Sequence, residues 1–302
     1  MNFDFGEVLT RAGQITWKHK ILWLISALPA LTGIFILPLL FGLFFLSEFD
    51  QYGQPRFVEE PLLLVPFFLG GIFVTLLGFI LTGIAGATVT FGVLRAEDGE
   101  EALSVRSLVE GAQKYWLRTL GVMFLTSVIF SFGYFILFGC LTLFGLVTLG
   151  LGFLCALPLI ILLYPLMLVV YGFIEEALAA IVADDLGVIP AIERAWELVK
   201  ANFWGILLLS FIVYFAISLL SGFISAPFMT PSFFMPFFAD GSMPDMRVIM
   251  LFIAGLTLLM FPLMLLVQGV GITFLKAAYA ITYLRLTRPK QVDAPLISEA
   301  NA

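Results

Sequence analysis

Charged side chains are scarce in this sequence of 302 residues, where Asp, Glu, Lys and Arg together make up 12 %. An average soluble domain has about 25 % charged residues. By contrast, 61 % of the residues are hydrophobic, and the mean hydropathy is +1.09. This composition excludes a soluble fold, a disordered chain and a disulfide-stabilised scaffold. It predicts a helical protein that crosses a membrane several times.

Histidine and cysteine are nearly absent as well. His19 is the only histidine, and Cys140 and Cys155 lie in apolar runs, away from any Cys-x-x-Cys or Cys/His cluster. There is no Gly-x-Ser-x-Gly, Walker or His-Glu-x-x-His motif. Most hydrolytic and metal-dependent mechanisms lack their usual residues, so we expect no enzyme activity, no metal and no cofactor. The net charge of −6 also argues against nucleic acid as a partner.

Six apolar segments are long enough to cross a membrane as helices, for which about 20 residues suffice. Their length and continuous apolarity do not suit the shorter, alternating strands of a barrel. The sequence predicts an all-α, polytopic membrane bundle of six transmembrane helices, with one domain at residues 1–290 and a disordered cytoplasmic tail at residues 291–302. The six segments are residues 21–46, 61–94, 117–145, 147–182, 203–224 and 248–283.

The basic residues are distributed unevenly between the two sides of these segments. Of the 15 Lys and Arg residues, all but Arg56 and Arg247 fall on the side of the N-terminus. Loops rich in Lys and Arg stay in the cytoplasm. We therefore expect both termini to be cytoplasmic. Residues 1–20 do not resemble a cleavable signal peptide, so the first span is expected to remain as an anchor.

Amphipathic stretches with helical spacing precede the first, third and fifth segments, at residues 5–16, 103–116 and 188–204. Each stretch contains or borders the tryptophans and basic residues that favour the lipid headgroup level. We expect each to form an amphipathic helix lying on the cytoplasmic surface of the membrane. The predicted headgroup belt is Trp17, Lys18, Lys20, Trp23, Trp116, Arg118, Trp196, Lys200 and Trp204.

A short motif is repeated in the fourth and sixth segments. Residues 165–172, Pro-Leu-Met-Leu-Val-Val-Tyr-Gly, recur as Pro-Leu-Met-Leu-Leu-Val-Gln-Gly at residues 262–269, and a weaker similarity surrounds Gly83 and Gly86. Three parallel repeats are predicted, each an interfacial helix followed by a transmembrane hairpin. Chance similarity between leucine-rich helices is the alternative. The expected repeat units are residues 1–97, 98–186 and 187–290.

Two parts of the sequence resemble a known family. Residues 182–187, Val-Ala-Asp-Asp-Leu-Gly, with residues 191–204, Ala-Ile-Glu-Arg-Ala-Trp-Glu-Leu-Val-Lys-Ala-Asn-Phe-Trp, resemble the membrane domain attached to some glycerophosphodiester phosphodiesterases. Residues 5–9 and 17–23 resemble the start of that domain, which also occurs in related stand-alone bacterial membrane proteins. The resemblance implies a membrane architecture in a bacterial inner membrane. It implies no activity, because the soluble catalytic barrel of those enzymes is absent from this sequence.

Three charged residues within the apolar segments form the candidate site: Glu175, Glu176 and Lys276. Charges are costly in lipid and often functional there. However, the fourth segment is longer than a membrane requires, so its end can protrude. We favour a position at the cytoplasmic headgroups, where both glutamates are solvated or paired with Lys276, over an intramembrane site.

Two further clusters have open interpretations. The acidic residues at 97–101 and at 184–185 are interpreted as caps of the following helices rather than as a cation site. The stretch at residues 228–238 is rich in Phe and Met, and it is expected to lie on the outer leaflet, to contact a partner or to fold back onto the bundle.

Two functions compete at this stage. The first is a non-catalytic membrane protein that organises lipid or a membrane partner complex through its interfacial helices. Its partners are membrane lipids and either another membrane protein or a second copy of the chain. The alternative is a transporter or permease for a lipidic or small apolar solute, and a membrane-embedded enzyme is a distant third.

Overall fold

The computed structural model describes residues 4–36, 39, 62, 64–148, 150–234 and 246–288. Side chains are described for the same residues except 151, 153–160, 162, 223–234 and 246–254. Every regular element in these ranges is a helix, which confirms the prediction of an all-α chain for this part of the protein. The predicted tail at 291–302 and residues 235–238 of the Phe- and Met-rich stretch lie outside the described residues, as do residues 40–46 of the first apolar segment.

The structure gives the bounds of eight α-helices and one 3-10 helix, and residues 33–36 are helical as well. Five of the α-helices are long and apolar enough to cross a membrane, and residues 5–36, bent by 92° after residue 18, would provide a sixth span. The chain is thus a helical protein with five or six candidate membrane spans. The elements are α1 (Phe5–Lys18), α2 (Ile21–Ala27), the 3-10 helix (Leu28–Thr32), α3 (Leu64–Glu97), α4 (Val105–Val147), α5 (Leu151–Ala183), α6 (Val188–Ala201), α7 (Phe203–Phe234) and α8 (Met246–Thr287).

Helix α1 is amphipathic and has a defined start and end. The Asp4 carboxylate caps its first turn by accepting hydrogen bonds from the backbone N–H groups of Gly6 and Glu7. His19 ends the helix, and the chain then bends into α2. The face of α1 that packs on the bundle consists of Val8, Ala12, Ile15 and Thr16.

Ion pairs between helices gather at one end of the bundle, which we call the charged end. Glu97 at the end of α3 accepts hydrogen bonds from Arg11 at 2.7 Å and from Arg285 at 3.0 Å. After α5, Asp185 pairs with Arg118 at 2.7 Å. The helices that follow these acidic turns are capped by Ser104 and Gly187, so these acidic residues join helices instead of capping them.

Helices α3, α5 and α8 contact one another and form the centre of the bundle. Toward the charged end, residues 85–90 of α3, 176–182 of α5 and 277–283 of α8 are all buried. A helix whose consecutive residues are all buried is surrounded on every side, because successive side chains point about 100° apart. Many of these residues are Gly, Ala or Thr, which let helix backbones approach closely. This half of the bundle is therefore densely packed.

The same three helices are open toward the other end, which we call the far end. There, residues 71–73 of α3, 164–166 of α5 and 262–264 of α8 are exposed in runs of three. Three successive side chains point in three directions around a helix. A helix that is exposed on one side only would not have three exposed residues in a row. The central helices are thus enclosed at the charged end and accessible at the far end.

The remaining helices surround this centre. Helix α2 packs on α3 and α8, α4 packs on α3 and α5, and α7 packs on α5 and α8. The short amphipathic helices lie outside them at the charged end, with α1 against α8 and α6 against α5.

Residues 103–116 do not form a separate interfacial helix. Ser104 caps the start of α4, and the helix then continues without a break to Val147. The prediction of an interfacial helix ahead of the third span is therefore wrong. His19 ends α1 and Asn202 ends α6 before the next helix begins, whereas no residue interrupts α4. Amphipathic spacing does not distinguish a helix that stops at the membrane surface from one that continues into the membrane.

Candidate functional site

An ion pair links two central helices within the packed half of the bundle. Lys276 of α8 donates to both carboxylate oxygens of Glu175 on α5, with Nζ–Oε2 and Nζ–Oε1 distances of 2.6 and 2.9 Å. Both side chains are almost completely buried. At 1.5 Å per residue, Lys276 lies about 16 Å along α8 from Thr287, the last residue of the helix. The expected pairing is present, and it is enclosed by protein.

A glycine on α3 faces this ion pair. A β-carbon on Gly86 would lie 3.5 Å from Nζ of Lys276. A methyl group at this position would thus be in ordinary van der Waals contact with the lysine head, which places Gly86 beside the ion pair. All three central helices thus contribute to the surroundings of the ion pair.

The position of Glu176 differs from the expected one, which was a solvated site at the lipid headgroups. Its side chain is 0 % exposed, and neither carboxylate oxygen accepts a hydrogen bond from the described residues. Leaving a buried polar group without a partner has a free-energy cost of about 1–3 kcal/mol. A carboxyl group in such a position is a candidate for function, because its burial costs free energy and no hydrogen bond from the described residues offsets that cost.

A hydroxyl pair lies next to the ion pair and was not predicted from the sequence. Tyr279, one turn after Lys276 on α8, shares a 2.6 Å hydrogen bond with Ser210 of α7. Gly172 permits this approach, because a β-carbon there would lie 2.7 Å from Ile206 and 3.0 Å from the Ser210 hydroxyl. The repeated motif that ends in Gly172 was the available signal for a close helix contact. Nothing in that motif identified the residues on the opposite helix.

The predicted headgroup belt divides into outward and inward tryptophans. The indole N–H of Trp23 donates to the backbone carbonyl of Thr16 at 2.7 Å, and that of Trp116 donates to the Thr88 hydroxyl at 3.2 Å. These two residues therefore connect helices. The outward tryptophans, with their exposed fractions, are Trp17 at 67 %, Trp196 at 61 % and Trp204 at 73 %.

The basic residues of the belt also have different surroundings. Arg118 is bound to Asp185 at 2.7 Å, and Lys18 lies 3.3 Å from Glu101 in a largely exposed pair. Lys20 and Lys200 are exposed. The site residues predicted from the sequence thus form two separate groups, one buried between central helices and one at the charged end.

Three comparisons with known proteins were negative. No protein-family model matches the sequence, and neither a curated protein nor a solved structure matches it. The resemblance to the membrane domain of glycerophosphodiester phosphodiesterases stays a prediction. Within the described ranges, no group of three or more His, Cys, Asp or Glu side chains is placed to hold a metal ion.

Proposed function

We propose that this chain is a non-catalytic integral membrane protein of a bacterial inner membrane that organises lipid through α1 and α6. One observation carries the proposal: both helices bury one face against the central helices and expose a tryptophan, Trp17 or Trp196. Indole rings favour the headgroup level, and an amphipathic helix at that level contacts lipid along its length. Each helix is thereby suited to hold lipid at a fixed place beside the bundle.

The proposal includes three hairpin units arranged around the central helices. Contacts at the equivalent glycines of the three units support it. A β-carbon on Gly83 would collide with Leu120 of α4, and one on Gly172 would lie 2.7 Å from Ile206 of α7. A β-carbon on Gly269 would meet the backbone of Trp23 in α2. Each glycine thus contacts the first span of the following unit, and the third unit returns to the first.

The charged end faces the cytoplasm in this proposal. Lys and Arg are retained on the cytoplasmic side of bacterial membranes, and all but two of these residues lie on the side of the N-terminus. The outward tryptophans then lie at the cytoplasmic headgroups, and the far end lies toward the periplasm.

Lipid that co-purifies with the protein tests the proposal. The full chain is extracted in native lipid discs and its bound lipids are counted by mass spectrometry, for the wild type and for the double variant Trp17→Ala/Trp196→Ala. We expect the double variant to lose bound lipid. Phe135→Ala is the matched control, because Phe135 is an exposed aromatic residue of α4 away from α1 and α6. Equal lipid retention in all three proteins would contradict the proposal.

Transport of a lipidic solute is the second candidate, and the buried charges of the packed half favour it. Ionisable groups inside membrane bundles commonly mark solute or ion pathways. Here Glu175, Glu176 and Lys276 lie where the accessible far end meets the enclosed charged end. A membrane protein that only organises lipid at its surface has no need of these groups.

Lipid movement between leaflets tests this second candidate. Proteoliposomes containing a fluorescent phospholipid are treated with an impermeant quencher, which reports the rate of exchange between leaflets. The transport candidate predicts faster exchange than in protein-free vesicles and slower exchange after Glu176→Gln. Exchange at the protein-free rate would exclude phospholipid as the solute.

A further inference from the structure

A cavity of about 590 Å³ lies at the charged end, between α1 and the residues that link α3 to α4. Sites for small ligands usually have volumes of about 300–1,000 Å³. Side chains of both charge signs surround this cavity next to an exposed indole. The lining residues include Arg11, Trp17, Lys18, His19, Glu100 and Glu101.

One cation and one anion in this wall are available to a ligand. Nζ of Lys18 lies 3.3 Å from Oε1 of Glu101, and both side chains are mostly exposed. An exposed pair of this kind contributes little stability, so a ligand with both charges can replace it. The Arg11 Nε–H is already bound to Glu97 at 2.7 Å, which holds that guanidinium in the wall.

His19 adds an uncharged polar group to the same wall. Its residue is 7 % exposed, and its ring makes no hydrogen bond to the described residues. Burial and the adjacent Lys18 charge lower the pKa of the imidazole below its ordinary value, so the ring is neutral near pH 7. A neutral imidazole has one N–H donor and one acceptor nitrogen. The ring can therefore bind a phosphate oxygen without adding charge.

We infer that this cavity binds the headgroup of a zwitterionic phospholipid with a primary ammonium group, namely phosphatidylethanolamine. The phosphate lies toward Lys18 and His19, and the ammonium lies toward Glu101. The neighbouring Glu100 carboxylate is already paired with Arg95, with an Nε–Oε2 distance of 3.4 Å. The inference rests on the proposed function, because it names the lipid that the α1 side of the protein holds.

The charges of the wall favour this headgroup over other common ones. A headgroup with only negative charge supplies no cation to replace Lys18 opposite Glu101, so the Glu101 carboxylate repels it. A choline headgroup has the right charges, but its trimethylammonium has no N–H to donate to a carboxylate. Ethanolamine supplies both the charge and the donors, and charged hydrogen bonds are roughly twice as strong as neutral ones.

The position of Trp17 favours a membrane lipid over a soluble compound. This indole lines the cavity, is largely exposed and packs on Trp23 with ring centroids 5.3 Å apart. Exposed tryptophan beside basic residues is typical of the headgroup level. A lipid whose acyl chains lie beside α1 therefore presents its headgroup to the cavity.

Competitive lipid binding tests the inference. The delipidated full chain is titrated with dispersed phosphatidylethanolamine, phosphatidylglycerol or phosphatidylcholine, and bound lipid is counted by native mass spectrometry. We expect about tenfold preference for phosphatidylethanolamine, the size expected from one charged hydrogen bond. Glu101→Gln should abolish the preference, and Lys18→Gln should weaken both phosphatidylethanolamine and phosphatidylglycerol. Glu110→Gln is the matched control, since Glu110 is exposed on α4 and pairs with Arg106 outside the cavity.

The outcomes separate this inference from the proposed function. If the wild type prefers phosphatidylethanolamine and Glu101→Gln removes the preference, the inference is supported. If lipid binds but the wild type shows no preference, or Glu101→Gln and Lys18→Gln have no effect, the inference fails and the proposed function stands. If no lipid binds, the proposed function fails as well. Water-soluble phosphoethanolamine has the same phosphate and ammonium, so it should compete with the lipid, but only weakly. Binding of phosphoethanolamine at least as tight as that of phosphatidylethanolamine would show that the cavity serves a soluble ligand, which overturns the assignment to a lipid.

Discussion

The backbone carbonyl oxygen of Trp23 lies 2.5 Å from the point that a β-carbon on Gly269 would occupy. Helix α8 therefore touches the main chain at the start of α2, where no side chain can move aside. Gly269 ends the second copy of the repeated Pro-Leu-Met-Leu motif, so this copy marks a close contact with the backbone of another helix. Small residues at helix crossings allow such contacts in membrane proteins.

Gly269→Ala is expected to destabilise the protein. A methyl group at this position must displace the α2 backbone, and overpacking of this kind typically costs about 1–3 kcal/mol. The melting temperature in detergent, followed by tryptophan fluorescence, reports the loss. Gly255→Ala is the matched control in the same helix, because a β-carbon there meets nothing within 4 Å. Equal melting temperatures for the two variants would contradict the close contact.

Breaking the Lys276–Glu175 ion pair from either side is expected to be more costly than removing it whole. Lys276→Met or Glu175→Gln leaves the opposite charge buried, at a cost of about 3–5 kcal/mol for a buried pair. The double variant Glu175→Met/Lys276→Met leaves no uncompensated charge and should recover most of that loss. Melting temperatures of the four proteins give the coupling between the two positions.

An exposed ion pair serves as the control for the buried Lys276–Glu175 pair. Arg106 and Glu110 pair at 2.7 Å on the surface of α4. Because solvent screens such pairs, Arg106→Gln should change stability by less than about 1 kcal/mol. Additive losses at Glu175 and Lys276, with no recovery in the double variant, would show that their charges do not interact in the folded protein.

Removing the Glu176 carboxyl is expected to stabilise the fold. Glu176→Met exchanges a buried polar group that has no partner among the described residues for an apolar side chain of similar size. Relief of the desolvation cost should raise the melting temperature, by an amount that corresponds to about 1–3 kcal/mol. Glu193→Met, at an exposed position on α6, should leave it unchanged. A lower melting temperature for Glu176→Met would reveal a stabilising partner of the carboxyl.

His19 is expected to make stability depend on pH. Burial, reinforced by the Lys18 charge, lowers the pKa of this imidazole below its value of 6.5 in an unfolded chain. The folded state thus binds a proton less readily than the unfolded state. This residue has no effect on stability well above pH 6.5, and it destabilises the fold progressively as the pH falls from about 7 to 5.

The difference between the wild type and His19→Gln isolates this contribution from that of the carboxylates. Melting temperatures are measured between pH 5 and pH 7.5, and the wild type should lose more stability than the variant on acidification. Parallel curves would show that the imidazole titrates equally in both states.

Much of the fold could be predicted from local composition. The apolar segments at 117–145 and 203–224 and residues 64–94 of the segment at 61–94 fall on helices, because length and continuous apolarity suffice to predict a helix in a membrane. The starts of α1 and α6 were also predictable from their amphipathic spacing, at residues 5 and 188. The unbroken start of α4 was not, since the same spacing occurs whether or not the helix continues.

The sequence by itself determined that the chain is helical and apolar enough to cross a membrane, and that Glu175, Glu176 and Lys276 are its unusual charges. Only the tertiary structure decided that Lys276 binds Glu175 and that the adjacent Glu176 is buried with no partner among the described residues. Neighbouring residues on a helix point about 100° apart, so the two glutamates have different surroundings. Those surroundings are set by helices far away in the chain, whose packing no local pattern encodes.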